Sequence, residues 1–492
     1  MQVETREPDA RSVQHYLDER PHWPGMVPAM PTMTAMQQNI FLLASAGKLF
    51  GGIIVFMTGM ALPLISEDLS LNATEEGLVT ATALAGIMVG AVFLGRLSDT
   101  LGRKTMFIAE MIIFTAFLFL IVFSPNLPLV LISLFGMGLA LGCDYPTAHL
   151  MITETMPSSA RARTVLGAFA FQAGGALAGA VIAVAVLALG PESVSSWRTM
   201  FGIVTAPALL VTIGRFFIAG SPHWLLTQGR PEEAAKELSR VLSREPAYPE
   251  SIRLETPHAK TKETARYLDL FKKGPARRAT ILASAPWFLQ DLSTYGIGIF
   301  TPVIVASTIG EDAGVDLPAH QTVSSLVHSS LLGAEGAVLI DVFLLVGVVV
   351  AIRYVDKLGA INMQVWGFLG CAAGLALAAL SQVFPPGAIQ TVLVFAGFML
   401  FQFMTNAGPN SQTYLISGEV FPTALRGSGA GFAAACGKFG AVLSAFLFPL
   451  LLAQWGQTPI LLVLIGTSIL GALITLRFRI DTTGKNLDEI YS

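Results

Sequence analysis

The sequence predicts an all-α membrane protein with twelve transmembrane helices in two six-helix bundles, and three observations predict it. First, 53% of the 492 residues are hydrophobic and only 13% are Asp, Glu, Lys or Arg, about half the charge of an ordinary soluble domain. Second, the apolar residues fall in long blocks such as Thr105 to Ser124 and Pro459 to Leu476, and about 20 apolar residues in an α-helix match the hydrocarbon core of a bilayer. Third, a polar stretch over 219–277 divides the blocks into six and six. A soluble enzyme, a nucleic-acid binder and a secreted disulfide scaffold are excluded, because too few charges remain to cover a water-exposed surface.

Before the polar stretch the spans are expected over 39–65, 75–97, 105–124, 128–153, 164–190 and 199–218. After it they are expected over 280–307, 333–354, 361–381, 388–415, 428–453 and 458–477. Thr74, followed by Glu75 and Glu76, reads as an N-cap with carboxylates matched to the helix dipole. Pro128 and Pro459 stand where a first helical turn tolerates proline. The organisation is a tail over 1–38, a bundle over 39–218, a charged linker over 219–277, a second bundle over 278–477 and a tail over 478–492. Val13 to Pro21 reads as a short interfacial helix and Glu232 to Val241 as an amphipathic one.

Alternate loops differ sharply in basic residues. One side receives Arg96, Arg103, Lys104, Arg161, Arg163, Arg353, Lys357, Arg426, both tails and twelve basic residues between Arg230 and Arg278; the other holds only Arg198. The excess of Lys and Arg marks the cytoplasmic side, so both termini are expected there, with the chain in the plasma membrane, or the inner membrane of a bacterium. The first 38 residues hold no apolar core of a cleavable signal. Cys143, Cys371 and Cys436 lie inside apolar blocks and read as packing residues. No cofactor, metal or nucleic-acid partner is expected, and no nucleophile–base pair or nucleotide loop points to an enzyme.

The halves resemble each other. Glu154, Pro157 and Arg161 near the end of span four recur with identical spacing as Glu419, Pro422 and Arg426 near the end of span ten, 265 residues on. Asp99 after span two has a counterpart in Asp356 after span eight. Parallel six-helix repeats with a site between them near the midplane describe a secondary transporter, whose partners are a small-molecule substrate, protons and the bilayer, in a monomer.

Gly95-Arg-Leu-Ser-Asp99-Thr-Leu-Gly102-Arg103-Lys104 resembles the loop signature of the major facilitator superfamily. Ser221-Pro-His-Trp-Leu225 and Thr483-Gly-Lys-Asn-Leu487 resemble segments of sugar porters. Gly142-Cys-Asp144-Tyr145-Pro146, Trp287 to Gly296, Gly408-Pro409-Asn410 and Gly437-Lys438 are similar to the phosphate:proton symporter family and its bacterial metabolite-transporting neighbours. The resemblance implies the major facilitator fold. It further implies a central site of Tyr145, Gln172, Trp287, Asp291, Tyr295, Asn410 and Lys438, with Asp144 and Asp291 coupling protons. Asp99, Gly102, Arg103, Lys104, Glu154, Arg161, Asp356, Glu419 and Arg426 are expected to latch helix ends during conformational exchange, Glu154 with Arg161 and Glu419 with Arg426.

Ionisable side chains at membrane depth are costly and face a cavity or a partner. Asp144, Asp291, Asp341, Lys438 and Lys48 fall inside spans, whereas Glu110 and Arg215 are expected nearer span ends. Trp287, Asp291 and Tyr295 recur every four residues and share one helix face, and Gly408-Pro409-Asn410 interrupts span ten. Lys438 reads as the central positive charge, which favours proton-coupled uptake of phosphate or a related small anion. The structural alternative makes Asp291 and Lys438 a salt bridge between the bundles. Lys48 is expected to snorkel, Asp341 to lie near the outer surface with a structural or gating role, and His149 to be a packing histidine. The family resembled carries an aspartate in span one, but Leu49 to Thr58 contains no acid. That departure leaves open an organic acid, sugar or drug as substrate, in either direction, or less readily a membrane sensor.

Overall fold

The computed structural model describes residues 10–23, 33–249, 251–255, 267–272, 274–312, 322–421 and 425–480. Within them the side chains of Asp99, Asp356 and Arg426, among a few others, are not described, and the tail segment from Thr483 lies outside.

The first half contains α2 (Ala35–Leu69), α3 (Ala73–Val89), α4 (Gly95–Leu101), α5 (Arg103–Val122), α6 (Leu127–Thr155), α7 (Ser158–Leu189) and α8 (Ser196–Phe217). The second contains α11 (Pro275–Asp312), α12 (Val323–Leu358), α13 (Ala360–Leu380), α14 (Ala388–Ala407), α15 (Pro409–Glu419), α16 (Arg426–Trp455) and α17 (Gln457–Arg477). Among the described residues, twelve helical stretches are long and apolar enough to cross a membrane. They form two bundles in the major facilitator arrangement.

Local chemistry explains the boundaries. Asn72, rather than Thr74, caps α3: its Oδ1 accepts from the N–H groups of Thr74 and Glu75, and Glu75 bonds back to the Asn72 N–H, closing a capping box. Pro128 sits in the first turn of α6 as expected. Span ten breaks at Gly408, whose backbone (φ −118°, ψ −109°) leaves the helical region before Pro409 opens α15. Span eight starts at Val323, ten residues before the expected position. Asp341 therefore lies in mid-helix and is only 3% exposed, not near the outer surface.

The halves meet along two equivalent seams, α3 with α16 and α7 with α12, with α2 facing α11 between them. On the side opposite the termini the seams are tight. Thr80 Oγ1 donates to the Ala445 carbonyl at 2.8 Å, Gly77 lies against the Phe446 carbonyl, and Gly59 against that of Ile299. A side chain at either glycine would hold the helices apart.

On the side of the termini, α1 (Val13–Asp18), α9 (Pro222–Thr227) and α10 (Pro231–Val241) form a small cap. Val13, Tyr16 and Leu17 bury against Leu225, Leu226, Ala234, Leu238 and Val241. The apolar face of α1 thus packs on the linker rather than on lipid. Asp18 also accepts from the Ser158 N–H at 2.6 Å and its hydroxyl at 2.8 Å, tying α1 to the start of α7.

Candidate functional site

The candidate site lies at mid-height between the halves. Tyr145 on α6 donates to Gln172 Oε1 on α7 at 2.9 Å, and Gln172 Nε2 reaches Tyr295 Oη on α11 at 3.4 Å. Lys438 on α16 donates to Tyr295 Oη and to Asp291 Oδ2, each at 2.9 Å. This polar chain crosses the seam. The four-residue spacing of Trp287, Asp291 and Tyr295 does bring them to one face: Trp287 packs on Gly437, next to Lys438, and edge-on to Tyr414 at 6.4 Å. Asn410 accepts from Gln290 at 3.1 Å and donates to Asn406 at 2.9 Å, so the break at Gly408 turns span-ten polar groups toward the same region.

Two small adjoining cavities sit here. One is lined by Lys48, Gly51, Asp144, Tyr145, Gln172 and Tyr295, the other by Phe169, Gln172, Tyr295, Leu344, Asn406 and Asn410. They offer about 10 Å³ and 20 Å³, enough for about one water each. The conformation is one in which the site is contracted around its own hydrogen bonds.

Asp144 belongs to a second charged cluster that the sequence did not assemble. Arg215 on α8 bonds Glu110 Oε1 on α5 at 2.6 Å and Asp144 Oδ1 at 2.9 Å, while Lys48 on α2 stands 3.3 Å from Asp144 Oδ2. Arg215 is fully buried and Glu110 nearly so; neither is near water, contrary to expectation. Lys48 does not snorkel, because its ammonium lies 3.5 Å from the centre of the Tyr145 ring and pairs with Asp144. A long side chain can reach water only along an open path, and here α6 covers it. Gly47 leaves the space that the Asp144 carboxylate fills.

Two expectations about Lys438 are corrected. Its bond to Asp291 joins α11 and α16 of the same bundle, not the two bundles. It is also one of three central cations: Lys48 and Arg215 balance Asp144 and Glu110, and Lys438 balances Asp291.

Toward the side of the termini, Tyr414 on α15 closes the seam. Its hydroxyl meets His149 Nδ1 on α6 at 3.0 Å, and its ring stacks on Phe169 of α7 at 5.3 Å. The sequence signal for Tyr414 was present, since it stands 265 residues after His149. The Glu154–Arg161 pair does not form. Arg103 is the partner of Glu154, at 3.5 Å, and Arg161 donates to Gln14 at 2.6 Å. Glu154 also accepts from the Ser221 hydroxyl, and its carbonyl meets His223 Nδ1 at 3.0 Å. Burial lowers the pKa of His223 below its ordinary value, with the Glu154 charge opposing. Gly102 adopts φ +100° under the Trp224 ring, a conformation that suits glycine. Lys104 is half-buried beside it. The expected partners of Asp99, Asp356 and Glu419 involve side chains outside the described residues.

A sequence profile described as "Sugar (and other) transporter" matches residues 29–492. The major myo-inositol transporter IolT of Bacillus subtilis is 28% identical over 92% of this chain and 93% of its own. The glucose transporter GlcP of Staphylococcus epidermidis is 26% identical over 93% and 97%. A probable inorganic phosphate transporter, 1-6, of Arabidopsis thaliana is 25% identical over 92% and 90%. The inward-open structure of the xylose transporter XylE from E. coli superposes with a TM-score of 0.71 at 19% identity, covering 92% of this chain and 99% of that one. XylE was also solved as the proton:xylose symporter with a bromodeoxyglucose bound, and that structure matches with a TM-score of 0.68 at 19% identity, over 94% and 99%. On the extent of the profile match, this chain belongs to the sugar (and other) transporter family, a family of carriers and not of enzymes.

Proposed function

We propose that the protein is a proton-coupled secondary transporter of a small uncharged polar solute, of the polyol or sugar class, working by alternating access. The observation that carries this reading is the balance of charge at the site. All three central cations already face carboxylates, so an anion entering the site would displace a carboxylate or carry a proton with it. Tyr145, Gln172, Trp287, Tyr295 and Asn410 offer donors and acceptors in several directions, which suits hydroxyl groups. Lys438 and Asp291 then act as a preoriented pair within the substrate wall. Asp144 and Asp291 remain the proposed proton-coupling acids. The motif residues Asp99 to Lys104, with Glu154 and Arg161, and Asp356, Glu419 and Arg426 in the second half, are the proposed latches. The excess of basic residues supports cytoplasmic termini. The myo-inositol, glucose and proton:xylose transporters among the similar proteins support the substrate class and the coupling.

Phosphate uptake is the second reading, favoured by the similarity to the plant phosphate transporter and by the motifs around Asp144, Asp291 and Lys438. Proteoliposome uptake of labelled myo-inositol, D-glucose and phosphate under an inward proton gradient separates the two. Gradient-driven accumulation of myo-inositol or glucose, abolished by a protonophore, is expected. Accumulation of phosphate and of neither neutral solute would overturn the first reading in favour of the second.

A further inference from the structure

Seven charged side chains are buried among the described residues, and six of them are the paired groups of the two clusters. The seventh, Asp341 on α12, has no partner of opposite charge. Its one bond is from Gln402 Nε2 on α14 to Oδ1, at 3.4 Å. Asp341 Oδ2 and Gln402 Oε1 are both buried without a hydrogen-bond partner. Those orphans belong to two side chains that already touch.

An ionised carboxylate in this position would be an uncompensated charge at membrane depth, which is strongly disfavoured. One proton resolves both orphans. A protonated Asp341 donates from Oδ2 to Gln402 Oε1 while Oδ1 keeps its bond from Nε2, closing a two-bond acid–amide pair. We propose that Asp341 is a proton-binding site of the transport cycle, holding its proton against Gln402 and exchanging it with the central cavity. This inference rests on the proton-coupled reading of the function.

The surroundings support a neutral group. α13, α14 and the membrane part of α7 carry no Asp, Glu, Lys, Arg or His, and Cys371 on α13 bonds Thr405. On α11, Asp291 and Tyr295 are held by Lys438, and on α2 Lys48 faces Asp144. The remaining charges of α2, α7 and α11, including Asp68 and Arg161, stand toward helix ends, and on α12 itself Glu335 and His328 are exposed. The cavity lies close by. Leu344, one turn from Asp341, lines it together with Asn406 and Asn410, which follow Gln402 at four-residue steps along span ten. Because α12 packs on α7 across the seam, movement of one half against the other displaces the helix that carries the acid. The proton then passes to cavity water, leaving the carboxylate, and returns from water on the other face.

The test uses the full-length protein. Infrared spectra of wild type and Asp341→Asn at neutral pH should differ by the carbonyl stretch of one protonated carboxyl. Gln402→Leu keeps the acid and should shift that band toward the frequency of a free acid, which preserves the test if Asp341→Asn does not fold. In proteoliposomes loaded with myo-inositol, Asp341→Asn should keep exchange of labelled myo-inositol within about twofold. It should lose proton-driven accumulation by about tenfold or more. An unchanged band, or accumulation at the wild-type level, would overturn the proposal. If the wild type exchanges but never accumulates, the coupled reading of the whole protein falls, and the infrared band still reports whether Asp341 holds a proton.

Discussion

His149 and Tyr414 stand 265 residues apart, at equivalent positions of the two halves, and their side chains bond each other at 3.0 Å. In a molecule built from two related halves, only residues beside the axis that relates them can meet their own counterparts. This contact therefore marks the axis, on the side of the termini, where the halves must part to open the site in that direction.

Tyr414→Phe removes the hydroxyl but keeps the ring on Phe169. Loss of one hydrogen bond, worth about 1 kcal/mol, shifts the balance between closed and open forms about fivefold toward open. Hydrogen–deuterium exchange should quicken over 145–155 and 409–419. Unchanged exchange in both segments would mean that the bond does not hold the seam closed.

Removing Arg215 strands Glu110 in the interior and leaves Asp144 with Lys48 alone. Breaking such a pair costs about 3–5 kcal/mol, so Arg215→Ala should lose most of its folded fraction on heating. Adding Glu110→Gln leaves Lys48 with Asp144 and restores electrical balance. The double variant is expected to survive heating better than Arg215→Ala alone, as followed by size-exclusion chromatography after a temperature series.

Neighbouring glycines should behave differently. A methyl group on Gly52 would press on the Gln172 carbonyl and the Ala176 amide of α7, whereas Gly51 has open space beside it. Gly52→Ala should destabilise by about 1–3 kcal/mol through overpacking, and Gly51→Ala should fold as the wild type does. Thermal stability of the two variants in the same detergent checks the pair.

The cap should respond to acid through His223. Its pKa in the folded protein lies below the ordinary 6.5 because burial disfavours the charged ring. The unfolded or undocked state therefore binds more protons, and docking stability rises with pH. It is fully present above 6.5 and is lost progressively as pH falls from there toward the lowered folded value. Proteolysis of the segment around Pro222–Thr227 should accelerate between those limits, and His223→Gln should flatten the profile.

Amino-acid order alone determined the twelve spans, their division into halves, the break at Gly408, the single face of Trp287, Asp291 and Tyr295, and the repeat that makes His149 and Tyr414 equivalent. These depend on hydropathy, helical period and spacing, which are local properties of the chain. The partners of the ionisable groups were decided by tertiary structure. Arg103 took the place of Arg161 beside Glu154, Arg215 and Lys48 converged on Asp144, and Asp341 was left with an amide alone. Each outcome depends on which faces of helices distant in sequence meet. In a bilayer that choice follows from close backbone approach at residues such as Gly52 and Gly175 and from the need of every buried charge for a partner. An early start of α12 moved Asp341 from the surface to mid-membrane, and the fold then placed Gln402 against it.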